Sequence, residues 1–525
     1  MEKVLIHGTG SEMQGVGRLA DGRAVFVPGA LPGETVEVEI TKDAQRFCEA
    51  RLVRVVKASG SRVQPDCPHY GACGGCSARH MNYETSLYLK QQRVYDALSR
   101  IGGVENPEVF DTIGCENPER SRNKAEYAVE MRDGKLRIGC YVARSHRVIP
   151  VQDCLLQKEE SIRLLNWMQA NLAKYPCAAR IRYLVTRVSR AGEMTVVLSA
   201  DAPVHGEVAR MAPALMKDIP EIASLHFCKL KNRPSHALDG FCSHVAGKNT
   251  VCDTLLDLEF ELSPQSFFQV NPVQAEKLYK NALQAAGLET GRDKRILDAY
   301  CGAGTITLSA ARMAKHALGV EIVPPAIENA KKNAKRNGLE KKSAFVCADA
   351  AREIPRRIAA GERFDAAIID PPRKGADAAL LNALADAKIP VISYVSCNPS
   401  TLARDVKILA ERGYFLEWAQ PVDMFPWTEH VECVCRLTRE VLDVYERLKD
   451  RYDLTYTHTA ALEDEGFTGD FPVICGTAQG RKFFLYDYYG EFVLSVAVPG
   501  KDYHDPGQPQ SIDEAVEQVI ELYEK

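Results

Sequence analysis

The chain has 525 residues, 46% hydrophobic and 26% charged, the balance of ordinary globular domains, and is long enough for about three to four of them. No apolar run reaches the ~18 residues of a membrane span, and Met1-Glu2-Lys3-Val4 begins without a charged-then-apolar leader. A cytoplasmic protein with no membrane partner is expected, so the 17 cysteines read as reduced thiols, metal ligands or catalytic groups, not a disulfide framework. The net charge of −4 hides an asymmetry: residues 440–525 hold 18 acidic and 7 basic side chains, the rest 52 and 59. A nucleic-acid partner would therefore engage the first 439 residues and be repelled by the tail.

Residues 1–57 alternate strand-like runs with Gly and Pro punctuation at Gly22, Pro28-Gly29 and Pro32-Gly33. Thr35-Val36-Glu37-Val38-Glu39-Ile40 alternates strictly, as a half-buried strand does. Several short strands in so few residues predict a small β-barrel of the kind that often binds oligonucleotides. Residues 58–262 carry a cysteine cluster, a helix over about 83–101 and a central α+β region with strands at 180–188 and 194–199. Residues 263–439 alternate strands and helices, the pattern of a doubly wound sheet. Residues 440–525 read as a separate α+β module. It has a helix over 440–452, a hairpin of 482–489 and 491–498 around Gly490, and a capping box, Ser511-x-x-Glu514, opening a last helix.

The chemistry-bearing residues lie in 263–439. Arg295-Ile296-Leu297 reads as a strand that turns at Gly302-Ala303-Gly304 into a helix over 305–314, where glycines let a ligand approach the backbone. Glu321 ends the next strand, 19 residues after Gly302, the spacing of an acid that binds ribose hydroxyls. Asp349 ends a third strand and Asp370, in Asp370-Pro371-Pro372-Arg373, a fourth. Thr307 stands where a dinucleotide fingerprint has its third glycine, and the order Gly302, Glu321, Asp349, Asp370 is that of an S-adenosylmethionine methyltransferase. In that reading Glu321 holds the ribose, Asp349 lies near the adenine and Asp370 sits toward the substrate. The buried-strand run Val391-Ile392-Ser393-Tyr394-Val395 then leads to Ser396-Cys397-Asn398-Pro399. A thiol at a strand's carboxyl end, beside a nucleotide-type site, points to covalent catalysis on an electrophilic ring carbon.

Ser266-Phe267-Phe268-Gln269-Val270-Asn271, Tyr300-Cys301-Gly302, Asp370-Pro371-Pro372-Arg373-Lys374-Gly375, Ser396-Cys397-Asn398-Pro399 and His430-Val431-Glu432 together resemble the RNA (uracil-5-)-methyltransferase family, as does Arg122-Asn123-Lys124. The resemblance covers about residues 1–439. It implies an α/β Rossmann-like class I methyltransferase domain (263–439), an N-terminal OB-like TRAM barrel that binds RNA (1–57), and an iron–sulfur loop with a central α+β domain (58–262). The acidic α+β extension 440–525 departs from the family, and its role is left open. The implied mechanism has Cys397 adding to C6 of a uracil, C5 taking the methyl group, and Glu432 removing the C5 proton. Gln269, Tyr300, Glu321 and Asp370 carry over as cofactor contacts, with Cys301, Cys433 and Cys435 as packed thiols.

Cys67-x5-Cys73-x2-Cys76 lies among Gly71, Gly74 and Gly75, whose backbone can wrap a small object. Four thiolates suit a [4Fe-4S] cluster or structural zinc alike. The family branch with this spacing places a fourth cysteine at Cys154 and implies the [4Fe-4S] cluster. The same branch acts mostly on 23S ribosomal RNA, while related members act on the T-loop of tRNA. The expected partner is RNA, rRNA before tRNA, with no DNA partner and a monomer favoured. The segment 120–147, with eight Lys and Arg, is a candidate RNA-facing surface. Two other classes compete: a non-catalytic RNA-binding protein, which would need neither Cys397 nor Glu432, and an oxidoreductase, which would bind nicotinamide or flavin.

Overall fold

The computed structural model of the protein describes residues 1–289, 293–462, 467, 470–497 and 504–524, with backbone alone for 504–507. The chain divides into two compact units, the first formed by Met1–Arg93, Thr112–Glu276 and Asp423–Val431, the second by Val94–Asp111, Lys277–Val422 and Glu432–Lys525. Among the described residues no helix is long and apolar enough to cross a membrane.

In the first unit, β1 (Glu2–Thr9), β2 (Gly15–Arg18), β3 (Ala24–Val27), β4 (Thr35–Asp43) and β5 (Phe47–Lys57) close a barrel in the order β1-β2-β3-β5-β4. The alternation in β4 has its physical cause here: Val36 and Val38 point inward with Val4, Ile6, Val25 and Val27, while Glu37 and Glu39 meet Arg54 and Arg51 of β5 outside. Helix α1 (Tyr83–Arg100) follows the cysteine loop. The strands β6 (Lys124–Arg132), β7 (Lys135–Tyr141), β8 (Val148–Pro150), β9 (Ile181–Val188), β10 (Met194–Ala200), β11 (Ile222–Leu230) and β12 (Gly240–Gly247) form one sheet, ordered β12-β11-β10-β9-β6-β7-β8. Helices α2 (Glu159–Asn171) and α3 (His205–Asp218) bury Leu164, Leu165, Met168, Met211 and Leu215 on one of its faces. A hairpin, β13 (Val251–Leu255) and β14 (Leu258–Leu262), precedes the Gln269 segment and α4 (Pro272–Ala285).

The second unit is built on β15 (Arg295–Ala299), β16 (His316–Glu321), β17 (Ser343–Cys347), β18 (Ala366–Ile369), β19 (Val391–Ser396), β20 (Phe415–Val422) and β21 (Glu432–Thr438). Between them run α5 (Thr305–Met313), α6 (Pro324–Arg336), α7 (Ala350–Ala359), α8 (Ala378–Asp386) and α9 (Pro399–Ala410). The sheet order is β17-β16-β15-β18-β19-β21-β20, with β15 to β19 parallel and β21 antiparallel to both neighbours. Strand order reverses between β15 and β18, the switch point at which such sheets open a crevice beyond their carboxyl ends. Strands β18 and β19 are buried along their whole length, which is why they read as unbroken apolar runs.

The extension folds as α10 (Glu440–Leu448), β22 (Leu454–His458), β23 (Pro472–Ala478), β24 (Arg481–Tyr488), β25 (Glu491–Val496), β26 (His504–Gly507) and α11 (Ile512–Glu524), its strands ordered as numbered in an antiparallel sheet. Its own core joins Val441, Val444 and Leu448 to Ile474, Phe483, Leu485, Ala515 and Val519. Ser511 Oγ caps α11 by accepting from Glu514 N at 3.2 Å. Strand β25 stops at Val496, and the expected end at Val498 lies outside the described residues.

Candidate active site

Cys397 sits at the corner between β19 and α9, where sequence chemistry forces a sharp turn. Asn398 caps α9 by accepting from Ser400 N at 3.1 Å, and Pro399 occupies the first helical turn. The antiparallel pairing Ser396↔Cys433, carried one step further, sets Cys397 opposite Glu432, the first residue of β21. On the other side β18 runs parallel to β19 and ends at Ile369, so Asp370 leaves the sheet at the same edge. Asn398 Nδ2 donates to Arg373 O at 3.2 Å, tying the Asp370-Pro371-Pro372-Arg373 loop to the Cys397 corner.

These groups feel one another. Burial pushes the Cys397 thiol up to about 11, and the carboxylates of Glu432 and Asp370 push the same way against Arg373. Glu432, 5% exposed, is raised to about 8 by burial and then by Asp370, with Arg373 again opposing. Burial of its carboxyl raises Asp370 to about 7. A thiol and two carboxyl groups thus act on one another with Arg373 opposing, an arrangement that would suit addition to a ring and removal of a ring proton. In the sequence Arg373 is only part of a motif; its electrostatic role depends on the fold.

The crevice toward β15 carries the expected cofactor residues. Tyr300 has a positive φ of 69°, and its N–H donates to Val320 O at 2.9 Å. Gly302 (φ 54°) presents open space where a Cβ would stand, whereas a Cβ on Gly304 (φ 86°) would meet Phe345 at 3.0 Å. Glu321 accepts from Gly302 N at 3.2 Å and from Val323 N at 2.9 Å, and Ile322 beside it is 62% exposed. Asp349 caps α7 through Ala351 N at 3.0 Å and bears electrostatically on Tyr300. Asp298, which no sequence motif marks with a role, is buried beneath this loop. It accepts from Thr307 Oγ1 at 2.5 Å, has its other oxygen without a hydrogen-bond partner, and is raised to about 8 by burial, Asp370 and Glu321. An open glycine turn, the Glu321 carboxylate, the exposed Ile322 and the nearby acids Asp298 and Asp370 are groups that would suit a nucleoside sulfonium cofactor. Gln269 belongs to the first unit, is 7% exposed, and its carbonyl accepts from Asn123 Nδ2 at 3.4 Å.

The cysteine loop is also in the first unit. The Cys73 and Cys140 thiols share a hydrogen bond, which lowers Cys73 and raises Cys140. Cys76 is raised to about 11 by burial, with Cys154 adding to the effect, and Cys154 in turn feels Cys73. Of the expected ligands, Cys154 therefore lies within electrostatic range of both Cys76 and Cys73. Cys140 of β7, which spacing did not single out, faces the same place, and Cys67 opens the loop, partly exposed. The thiols suit a thiolate-bound metal in their chemistry. As arranged, however, no three His, Cys, Asp or Glu side chains among the described residues gather closely enough to hold a metal ion.

Comparison with known proteins adds independent findings. The profile of the family described as tRNA (Uracil-5-)-methyltransferase matches residues 82–440, and that of the TRAM domain residues 2–53. An uncharacterized RNA methyltransferase of Halalkalibacterium halodurans is 39% identical over 427 residues, 79% of this chain and 92% of the relative. Another, of Caldanaerobacter subterraneus subsp. tengcongensis, is 39% identical over 449 residues, 83% of this chain and 98% of the relative. Among solved structures, Pyrococcus abyssi tRNA (uracil-54, C5)-methyltransferase in complex with S-adenosyl-L-homocysteine aligns with a TM-score of 0.64 at 26% identity, over 83% of this chain and 100% of that one.

Proposed function

The chain belongs to the tRNA (uracil-5-)-methyltransferase family, and on that premise we propose that it transfers a methyl group from S-adenosylmethionine to C5 of a uridine in structured RNA. The observation that carries the reading is the convergence of Cys397, Glu432 and Asp370 at one edge of a doubly wound sheet. Cys397, as thiolate, adds to C6 of the uracil and leaves an enolate whose C5 is nucleophilic. S-adenosylmethionine, when bound, would supply a methyl group to C5 and leave as the neutral thioether S-adenosylhomocysteine. Glu432 then removes the C5 proton, the C6–sulfur bond breaks, and its electron pair returns to Cys397. Gln269, Tyr300, Glu321, Asp349 and Asp370 serve as cofactor contacts in this reading, with Glu321 toward the ribose and Asp370 toward the reacting centre. The target base must leave its stack to reach a thiol at this depth. The barrel 1–57 and the basic segment 120–147 are read as RNA-facing.

The proposed substrate is 23S ribosomal RNA, supported by the pairing of a TRAM barrel with the cysteine loop. The second reading is a tRNA uridine, favoured by the P. abyssi tRNA enzyme's likeness over the whole of its length. For the loop itself the reading is a [4Fe-4S] cluster held by Cys67, Cys73, Cys76 and Cys154, with structural zinc as the alternative. No step of methyl transfer runs through it, and metal analysis of anaerobically purified protein distinguishes the two. The central test is trapping. RNA containing 5-fluorouracil, incubated with the enzyme and S-adenosylmethionine, should give an adduct that survives denaturation, because fluorine cannot leave as the proton does. Peptide mapping should locate it at Cys397, and Cys397→Ala should bind S-adenosylmethionine yet form none. An adduct at another residue, or wild-type turnover by Cys397→Ala, would overturn the covalent scheme.

A further inference from the structure

Nine residues, Asp423–Val431, lead from β20 into Glu432, and they cluster with the first unit although both strands they join belong to the second. A segment of this length carries carbonyls that need partners wherever water is excluded. Five of them are taken by the first unit. Gln274 Nε2 donates to Asp423 O at 3.1 Å, Asn271 Nδ2 to Met424 O at 3.4 Å and Lys90 Nζ to Phe425 O at 3.1 Å. The amides of Ser77 and Ala78 both donate to Trp427 O, at 3.0 and 3.1 Å, and Arg93 Nη1 donates to Glu429 O at 2.5 Å. At the head of the segment Lys90 and Asp423 form an ion pair with no exposed surface on either side chain, Nζ to Oδ1 2.5 Å. Tyr83 OH donates to the other Asp423 oxygen at 2.6 Å.

The same lattice holds the Gln269-Val270-Asn271 run: Asn123 N donates to Val270 O at 2.7 Å, and Asn271 reaches Met424 as above. Apolar side chains of equal volume would stabilise a fold as well as a desolvated ion pair does. What the charged pair adds is direction, because its geometry admits few alternatives when every partner is satisfied. The pair stands where the chain leaves β20, one residue after Val422, the strand partner of Glu432, and Val431, just before Glu432, is fully buried.

We propose that Lys90 is a positioning residue for methyl transfer. Through Asp423 and the Phe425 carbonyl it holds the head of the segment that leads into Glu432, and so the reach of that carboxylate to the C5 proton. The inference rests on the reading of Glu432 as the base, and it makes a step-specific demand. The methylated adduct decays only when its C5 proton passes to Glu432 and the C6–sulfur bond breaks. Displacing the base should slow that decay and leave adduct formation and cofactor binding largely alone.

The test uses the full chain, methyl-tritiated S-adenosylmethionine and RNA isolated from cells lacking the gene, with denaturing quenches under single-turnover conditions. Glu432→Gln should hold the labelled protein–RNA adduct; if it does not, the reading of Glu432 fails, whatever Lys90 does. Lys90→Met should prolong the adduct about tenfold or more, since a small misplacement of a catalytic group costs up to about two orders of magnitude. Its dissociation constant for S-adenosylmethionine should stay within about threefold of wild type. Lys90→Met strands a buried carboxylate and can fail to fold. Tyr83→Phe, which keeps the ion pair and removes one hydrogen bond to Asp423, then carries the test with an expected slowing of about threefold. A folded variant whose adduct decays at the wild-type rate, or whose whole defect lies in cofactor affinity, overturns the proposal.

Discussion

At the scale of single residues the decisive quantity is where Cys397 and Glu432 give up their protons. Both must be deprotonated to act in the proposed scheme, and both are raised by burial and by neighbouring acids, to about 11 and about 8. Arg373 opposes both shifts. The sign follows: removing Arg373 raises both groups further and moves the rising limb of the rate to higher pH. Arg373→Gln should displace the limb of kcat/KM for RNA upward by about 0.5–1 pH unit, a modest share of what a close opposite charge does. A series of initial rates between about pH 6.5 and 9.5 reads this directly, and a limb that stays put or moves down would remove Arg373 from the site's electrostatics. Cys397 and Asp370 are legible at sheet ends because each follows a buried-strand run, whereas Glu432 is marked only by the resemblance of His430-Val431-Glu432. Arg373 and Asp298 were not assigned roles, because a charge acquires one only from what the fold places around it. Cys140 escaped for the same reason: its partner Cys73 lies across a turn of the fold, at no recognisable spacing.

At the scale of elements, strands that are buried on both faces leave the clearest trace. The runs at 366–369 and 391–395 match β18 and all but the last residue of β19, because parallel strands between helices are apolar throughout and a polar residue ends each. Helix α10 is less legible. Its pattern extends to 452, yet the helix ends at Leu448, where Tyr452 N still reaches back to Leu448 O but the intervening Asp450-Arg451 turn goes to solvent. The cofactor loop supplies the prediction at this scale. Gly319 in β16 lies under it, and a Cβ there would stand 2.7 Å from Thr307 Oγ1, 2.8 Å from Cys301 Sγ and 2.9 Å from Phe345. Thr307 carries the hydrogen bond to Asp298, and Cys301 adjoins Gly302. Gly319→Ala should therefore cost about 1–3 kcal/mol of stability through overpacking, and it should weaken S-adenosylmethionine binding because the strain falls on the loop itself. Thermal unfolding and a cofactor titration measure the two effects. Unchanged affinity with reduced stability would separate the loop from the strand beneath it.

At the scale of the whole molecule the acidic extension raises the sharpest question, since its sequence gives a fold but no chemistry. The second unit shows how it is attached. Arg436, on the strand that Glu432 begins, is 4% exposed and is paired with Glu417 (2.5 Å), Glu440 (3.0 Å) and Asp487 (3.6 Å), while its Nη1 donates to Ala285 O at 2.7 Å. The turn at Gly490 packs on the guanidinium, with room for a Cβ only 3.2 Å from Nη2. One cation among three carboxylates leaves a surplus of negative charge, and burial raises both Glu417 and Asp487 in response. Arg436→Met in the full chain strands all three acids and should cost about 3–5 kcal/mol. Truncation after Arg439 acts differently. It removes Glu440 and Asp487 together and leaves Arg436 with Glu417 and the Ala285 carbonyl, a neutral pair that keeps its hydrogen bonds. Residues 1–439 alone should therefore fold with a lowered thermal midpoint and still methylate naked RNA at a rate near that of the full chain, because the strand bearing Glu432 retains its partners β19 and β20. The comparison is made below both melting temperatures, with folding checked by circular dichroism. A folded but inactive truncation would mean that the extension orders the catalytic strand through more than charge at Arg436.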